Sequence, residues 1–122
     1  MADEITIAIS FNIVNGNFRL PIATGSLSFD QTTSGGGNPG SVDIGTSEED
    51  ISFGDITTLG WLYMRNLDDT NYVTWGPKSG TMVACGRMEA GEPACFRMEP
   101  GITMTMQANT ASCRVYIAAL DD

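Results

Sequence analysis

The residues able to do chemistry in this chain are few, and the most versatile is missing. No histidine occurs among 122 residues, which removes the usual general acid or base near neutral pH and the usual zinc ligand. Catalysis needs groups of tunable pKa held close together, so it would rest on carboxylates, on Tyr63, Tyr72 and Tyr116, or on Cys85, Cys95 and Cys113. Paired carboxylates are the glycosidase arrangement, and Glu48, Glu49, Asp68, Asp69, Glu89, Glu92 and Glu99 are available for it. They cluster in turns, where a charge is ordinarily solvated, and the chain reads as no enzyme. Asp68-Asp69-Thr70-Asn71 offers oxygen ligands, but it lacks the spacing and terminal bidentate glutamate of a calcium loop. A hydrogen-bonded turn is expected there. With no P-loop, dinucleotide fingerprint or lipidation motif, neither metal nor cofactor is expected.

The three cysteines are widely spaced, with no C-x-x-C pair, and fit neither a disulfide framework nor a zinc knuckle. Small buried thiols are the expectation, with a single bridge between Cys85 and Cys95 on neighbouring strands left open. One binding constellation can be assembled from the aromatics. Trp61 and Tyr63 share parity on one strand, Tyr72 and Trp75 lie on the next, and together they would make a flat platform of the kind that stacks on sugars. The competing reading is a core built on large aromatics.

Charge excludes whole classes of partner. Fifteen acidic residues face six basic ones, for a net charge of −9, and Lys78 is the single lysine. Phosphate contacts by Lys and Arg dominate nucleic-acid affinity, so nucleic acid and anionic membrane are both excluded as primary partners. No apolar stretch reaches the roughly 18 residues of a membrane span. The N-terminus, Met1-Ala2-Asp3-Glu4, is acidic where a signal peptide is basic, which points to synthesis in the cytoplasm without an N-terminal export signal.

The elements that must position these residues are strands. Ile5, Ile7, Ile9, Phe11 and Ile13 alternate with Thr6, Ala8, Ser10 and Asn12, placing every large apolar side chain on one face. Asn15-Gly16 supplies a type I′ turn, with Phe18 to Ala23 returning as a hairpin partner. Pro21 marks that partner as an edge or a bulge. Leu27 and Phe29 make a further strand, followed by the Gly-rich loop 32–41, which contains no large apolar residue. Thr46-Ser47-Glu48-Glu49-Asp50 permits one helical turn, with Thr46 or Ser47 as N-cap. Beyond it, turn signals at 68–71, 76–80, 90–91, 100–101 and 109–110 separate short strands: Gly60 to Leu67, Tyr72 to Trp75, Thr81 to Met88, Pro93 to Met98, Ile102 to Gln107 and Ser112 to Leu120. About nine or ten strands with Gly-rich turns predict an all-β, antiparallel, jelly-roll-like sandwich, here a single domain over 1–122. Six of the seven methionines, Met64, Met82, Met88, Met98, Met104 and Met106, lie in its second half and are expected in the core.

Edge strands and terminal strands are what neighbouring chains use for augmentation, and natural monomers guard them with lysine, which is nearly absent here. The N-terminal strand or arm 1–14 and the loop 32–41 are therefore the expected assembly elements, with Ile5, Ile7, Ile9, Phe11, Ser34, Gly36, Asn38 and Pro39 as candidate interface residues.

The second half carries a family likeness. Gly45-Thr46-Ser47-Glu48-Glu49, then Gly54-Asp55-Ile56-Thr57-Thr58-Leu59-Gly60, then Arg65-Asn66-Leu67-Asp68-Asp69-Thr70-Asn71-Tyr72-Val73, then Ala90-Gly91-Glu92 and Phe96-Arg97-Met98 resemble a pattern in small all-β virion proteins of tailed bacteriophages. The likeness covers roughly residues 45 to 110, and the block from Arg65 to Val73 is its most specific part. It implies a β-sandwich and an auxiliary capsid role: a cement or decoration protein bound to the outer capsid surface between major capsid protein subunits, as a dimer or trimer. A head or tail-fibre module binding a glycan or receptor through Trp61, Tyr63, Tyr72 and Trp75 is the alternative. The negative charge favours the outside of a shell filled with DNA.

Overall fold

The computed structural model describes residues 3–32 and 37–122, and at 37–39 the backbone alone. Among these residues every regular element is a strand: β1 (Ile5–Asn15), β2 (Phe18–Phe29), β3 (Gly37–Ile44), β4 (Glu49–Asp50), β5 (Leu59–Asn66), β6 (Val73–Ser79), β7 (Thr81–Met82), β8 (Gly86–Met88), β9 (Pro93–Arg97), β10 (Met104–Ala108) and β11 (Cys113–Asp121). The all-β antiparallel architecture read from the sequence is the one observed. The turn of helix permitted around 46–50 gives way to β4, because Asp50 and Glu49 pair with Thr105 and Met106 of β10.

The chain divides into two compact units, Met1–Ser34 and Gly35–Asp122, where one sandwich over the whole length was expected. Strand pairing explains the difference: β1 and β2 pair with each other in a two-stranded sheet of their own. In this first unit a two-residue hairpin turn forms one position later than read: Asn15 pairs with Phe18, so Gly16 and Asn17 are the central residues. Of these Gly16 alone has positive φ, 59°, the pattern of a type II′ turn with glycine first rather than the expected type I′. The two predicted strands after it are one continuous β2. The register shifts between Ala8 and Ser10, where the Ile9 N–H donates to Thr24 Oγ1 at 3.0 Å. Pro21 is tolerated because both strands of a two-stranded ribbon are edges.

The second unit is a sandwich. Its sheets run β3-β11-β5-β9 and β4-β10-β6-β8, with β7 a two-residue extension on β6. Counted without β7, this is the order of a jelly roll. Period-two alternation decides what fills it. Leu62 and Met64 of β5, Val115, Ile117 and Ala119 of β11, Val73 of β6, Met88 of β8, and Met104 and Met106 of β10 form one buried cluster. Five of the six methionines expected in the core are there, Met98 included, while Met82 on β7 is half-buried and outside the cluster. Three boundaries differ from the sequence reading. Gly37–Ile44, placed in a loop through residue 41, is an edge strand paired along β11 from Cys113 to Leu120; ladder pairing outweighs the weak strand preference of Gly and Pro, and an edge accepts proline. β6 runs through the expected turn at 76–79, and the expected strand from Thr81 to Met88 is broken into β7 and β8.

Two glycines set how closely backbone and ring can approach. A Cβ on Gly76 would lie 2.0 Å from the Val83 carbonyl oxygen, and one on Gly86 would lie 2.3 Å from the Trp75 ring. Trp75 is in turn stacked on Phe96 of the opposite sheet, with ring centroids 5.0 Å apart and planes 9° from parallel. Its Nε1 is buried without a hydrogen-bond partner, so packing alone holds the ring. Gly86→Ala should therefore force the indole off Phe96 and cost about 1–3 kcal/mol, the range for overpacking a core. Urea unfolding with tryptophan fluorescence checks both effects; an unshifted midpoint would contradict this account of the stack.

Candidate functional site

The block Arg65 to Tyr72 comes together in space, as a knot of hydrogen bonds at one end of the sandwich. Asn66 shares inward parity with Leu62 and Met64, and it has no exposed surface. A buried amide must find partners. The two N–H groups of its Nδ2 are shared among the carbonyl oxygens of Asn71 at 2.9 Å, Met88 at 3.1 Å and Glu89 at 3.3 Å, while its Oδ1 accepts the Asp68 N–H at 3.0 Å. The Asn66 N–H donates to the Glu92 carbonyl, the Gly91 N–H to the Asn66 carbonyl, and the Leu67 N–H to the Arg114 carbonyl. Arg65 Nε adds a bond to the Gly91 carbonyl.

Asp68 closes the turn that follows. One carboxylate oxygen accepts the N–H groups of Asn71 at 2.6 Å and Thr70 at 3.0 Å. Those two donors, that of Asn71 first, hold the Asp68 carboxyl below its ordinary value of 3.8. Asn109 Oδ1 accepts the Tyr72 N–H, and the Thr110 hydroxyl donates to Asn71 Oδ1. The loops 67–72, 89–92 and 109–110 are thereby fastened to one another. Tyr72 lies on the outside of this knot with the Arg87 guanidinium 3.9 Å above its ring centroid, an exposed contact worth about 0.5–1 kcal/mol.

The other chemistry-bearing groups are dispersed. The Glu49 carboxylate accepts the Gly45 N–H, that of Glu48 the Met82 N–H, and that of Glu92 the Glu89 N–H. Glu49 and Glu92 each serve a local turn, while Glu48 ties its segment to β7. Among the described residues no group of three or more His, Cys, Asp or Glu side chains is placed to hold a metal ion. The thiols are separate and free: Cys113 is buried, while Cys85 and Cys95 are exposed. The open possibility of a Cys85–Cys95 bridge is not realised, and burial holds for one thiol of the three. Desolvation raises Cys95, and desolvation followed by the negative charge of Asp68 raises Cys113. Both changes lower the thiolate population on which nucleophilic reactivity depends.

The four-ring platform is not assembled. Trp61 and Tyr63 alternate with the buried Leu62 and Met64 of β5 and so stand on the outer face of their sheet, where Tyr63 meets Tyr116 edge-on at 6.2 Å. Trp75 shares parity with the buried Val73 and points between the sheets. Period two along β6 dictates this orientation, which the earlier grouping by strand alone overlooked. An apolar cleft of about 380 Å³ opens beside Trp75 and Phe96, floored by Met98 and Met104 with Cys85 and Ile102 at its margin.

The expected interface residues fare unequally. Ser34 and Gly36 lie outside the described residues, as do the side chains of Asn38 and Pro39. Ile5, Ile7, Ile9 and Phe11 share one face of the hairpin, and the sequence reading missed the other half of that face. Ile5 pairs with Phe29, Ile7 with Leu27, Phe11 with Ile22 and Ile13 with Leu20. The signal was present in the alternation of Phe18, Leu20 and Ile22. Eight of these side chains, Ile9, Phe11, Ile13, Phe18, Leu20, Ile22, Leu27 and Phe29, are between 39% and 57% exposed. The opposite face carries Thr6, Ser10, Asn12, Arg19, Ser26 and Ser28 with Ala8, Ala23, Pro21 and one large apolar side chain, Val14 at the turn end.

No protein-family model, curated protein or solved structure matches the chain.

Two substitutions test the knot. Asn66→Asp keeps the shape but replaces a donor with a buried acceptor facing carbonyl oxygens, and should cost on the order of 3 kcal/mol in urea unfolding. Loss of less than a third of that would mean that the amide is not the fastening. Asp68→Asn tests the turn through pH. Because the folded carboxyl is held below 3.8, its stabilisation is complete above that value and fades as pH falls through the lower folded one. Thermal midpoints of wild type and Asp68→Asn should differ most near neutral pH and converge in strong acid; a constant gap would refute the assignment.

Proposed function

We propose that this chain is a structural virion protein: a cement or decoration protein that binds the outer surface of a phage capsid, between major capsid protein subunits, and stabilises the expanded shell. The observation that carries the reading is the exposed apolar face of the N-terminal hairpin. Scattered single apolar residues on a surface are ordinary, but a contiguous apolar face marks a site of interaction. The sandwich supports the same reading by what its polar residues do, since Asn66, Asp68, Glu48, Glu49 and Glu92 are all engaged in holding loops. Jelly rolls recur in viral capsid and lectin domains, an analogy that raises the prior without deciding function. The likeness of residues 45 to 110 to small virion proteins adds to it.

The mechanism is mechanical. A copy bound across the seam between shell subunits adds buried area that internal pressure has to break, and a symmetric oligomer engages several subunits at once, so that effective concentration multiplies a modest single-site affinity. A net charge of −9 repels packaged DNA and favours the outer surface. Of the five arginines, Arg87, Arg97 and Arg114 pair with Glu89, Asp122 and Asp43 of the same chain; Arg19, on the more polar face of the hairpin, suits bidentate pairing with a carboxylate of a neighbouring subunit. The glycan-binding alternative loses its basis in the four-ring platform.

Quantitative mass spectrometry of particles produced from the genome that encodes this chain tests the proposal. Hundreds of copies per particle are expected, with occupancy abolished when residues 2–13 are deleted. A handful of copies would move the chain to the tail, and its absence from purified particles would end the reading.

A further inference from the structure

We infer that the apolar face of the β1–β2 hairpin is a self-association surface, packed in the assembled protein against the same face of a second copy of this chain. The inference rests on the proposed function only in taking the hairpin as the assembly element.

A two-stranded ribbon is marginal in water, and independent stability requires further strands or a second layer against its apolar face. Among the described residues the β1–β2 sheet has two strands, so its face needs a cover. The eight exposed side chains on it are 39% to 57% accessible; taking the low end of the aromatic range, on the order of 150–200 Å² for each large side chain, the face presents roughly 600 Å². Two such faces together hide roughly 1,200 Å², the lower bound for a stable protein interface. Packed as aligned sheets roughly 10 Å apart, two hairpins complete a four-stranded sandwich with a core of its own.

Charge selects the occupant. Between Ile5 and Phe29 the single charged residue is Arg19, and its pairing with Val14 puts it on the opposite face. The total of −9 less the +1 of Arg19 leaves −10 on the rest of the chain. A basic peptide would find no carboxylate on this face to pair with, and an anionic lipid surface would be repelled by the −10. A second copy brings an identical neutral face, and a two-fold axis makes one patch complementary to itself. Phe11 and Ile22, cross-strand partners in the middle of the ribbon, fall at the centre of that interface.

The test uses the purified full chain, free of particles. Light scattering after size exclusion, at micromolar concentrations, should give twice the 13.0 kDa chain mass. Phe11→Asp with Ile22→Asp should give a monomer, while Ser10→Asp with Ser28→Asp, on the opposite face, should stay dimeric. Trp61 and Trp75 both lie in the sandwich unit, so their near-ultraviolet dichroism should be the same in all three proteins. Hydrogen exchange guards against a variant that merely melts the hairpin: in the wild type, protection of β1 and β2 amides should rise with protein concentration while sandwich amides stay constant. A wild-type monomer at these concentrations, an unchanged dimer in the Phe11→Asp, Ile22→Asp protein, or concentration-independent exchange of the hairpin would each overturn the inference. A monomer that still coats particles would remove this inference and leave the cement reading standing; a dimer absent from particles would do the reverse.

Discussion

The sandwich depends on one buried side-chain amide. In a jelly roll the strands alternate between sheets, so the chain must turn repeatedly at each end, and carbonyls beside those turns fall outside the ladders. At the end where β5, β8 and β11 meet their loops, the carbonyls of Asn71, Met88 and Glu89 all converge on Asn66 Nδ2. Leaving such groups unpaired inside a protein costs about 1–3 kcal/mol each. A neutral amide meets the need better than an ion would, because it brings donors and an acceptor without the desolvation cost of a buried charge. Its acceptor side is used as well, on the Asp68 N–H, and Asp68 then organises the turn to Asn71. The polar character of the whole block, from Arg65 to Tyr72, follows from this accounting.

How much of this was legible depends on what each residue reveals locally. The first strand declared itself through strict alternation from Ile5 to Ile13, and Gly16 marked its turn to within one residue, because both signals are local and both elements sit beside one another in sequence. The turn type was missed, since Asn15 joins the ladder opposite Phe18 and leaves Gly16 and Asn17 at the centre. The edge strand Gly37–Ile44 was hidden, since Gly and Pro carry no strand preference and its ladder is provided by β11, about 75 residues further on. The division into two units was hidden for a related reason. Alternation tells which face of a strand is apolar, and says nothing of which strand will pair with it. The inward Asn66 was readable in principle, as the one polar residue in step with Leu62 and Met64, and so was the inward Trp75, in step with Val73. Both follow from parity within a single strand, which outranks the grouping of residues by type that first assembled Trp61, Tyr63, Tyr72 and Trp75.

The two units solve the same physical problem to different extents. The second satisfies its sheets by facing them: Met64, Met104, Met106, Val73 and Val115 are each at most 2% exposed, and methionine's adaptable shape fills the space between sheets of unequal strand length. The first has the same alternation and stops at one layer. Its hydrogen bonds are closed at the open end, where the Asp3 N–H meets the Asp30 carboxylate and the Gln31 N–H meets that of Glu4. Backbone pairing in the ribbon is therefore provided for, while burial of its apolar face is not. Hydrogen bonds contribute little net stability when water competes for both partners, so the ribbon's order rests on whatever removes that face from water.

Charge placement makes the same separation. The acidic residues lie outside Ile5–Phe29 altogether, so the segment that exposes the most apolar surface is also the one with the least repulsion between copies. Spread evenly over the chain, the same net charge would oppose association of the hairpins at close range, where screening is weakest. Concentrated elsewhere, it keeps copies apart at distances beyond contact and leaves the apolar faces to meet without an ionic penalty. A ribbon that acquires its second layer from another copy then has a stability tied to protein concentration, since whatever binds the ordered form alone stabilises it by mass action. Dilute chains keep a complete sandwich and a marginal arm. Where copies are concentrated, as on a surface that gathers many of them, the arm's order and the assembly become one equilibrium, with the sandwich unaffected by which side of it a given copy is on.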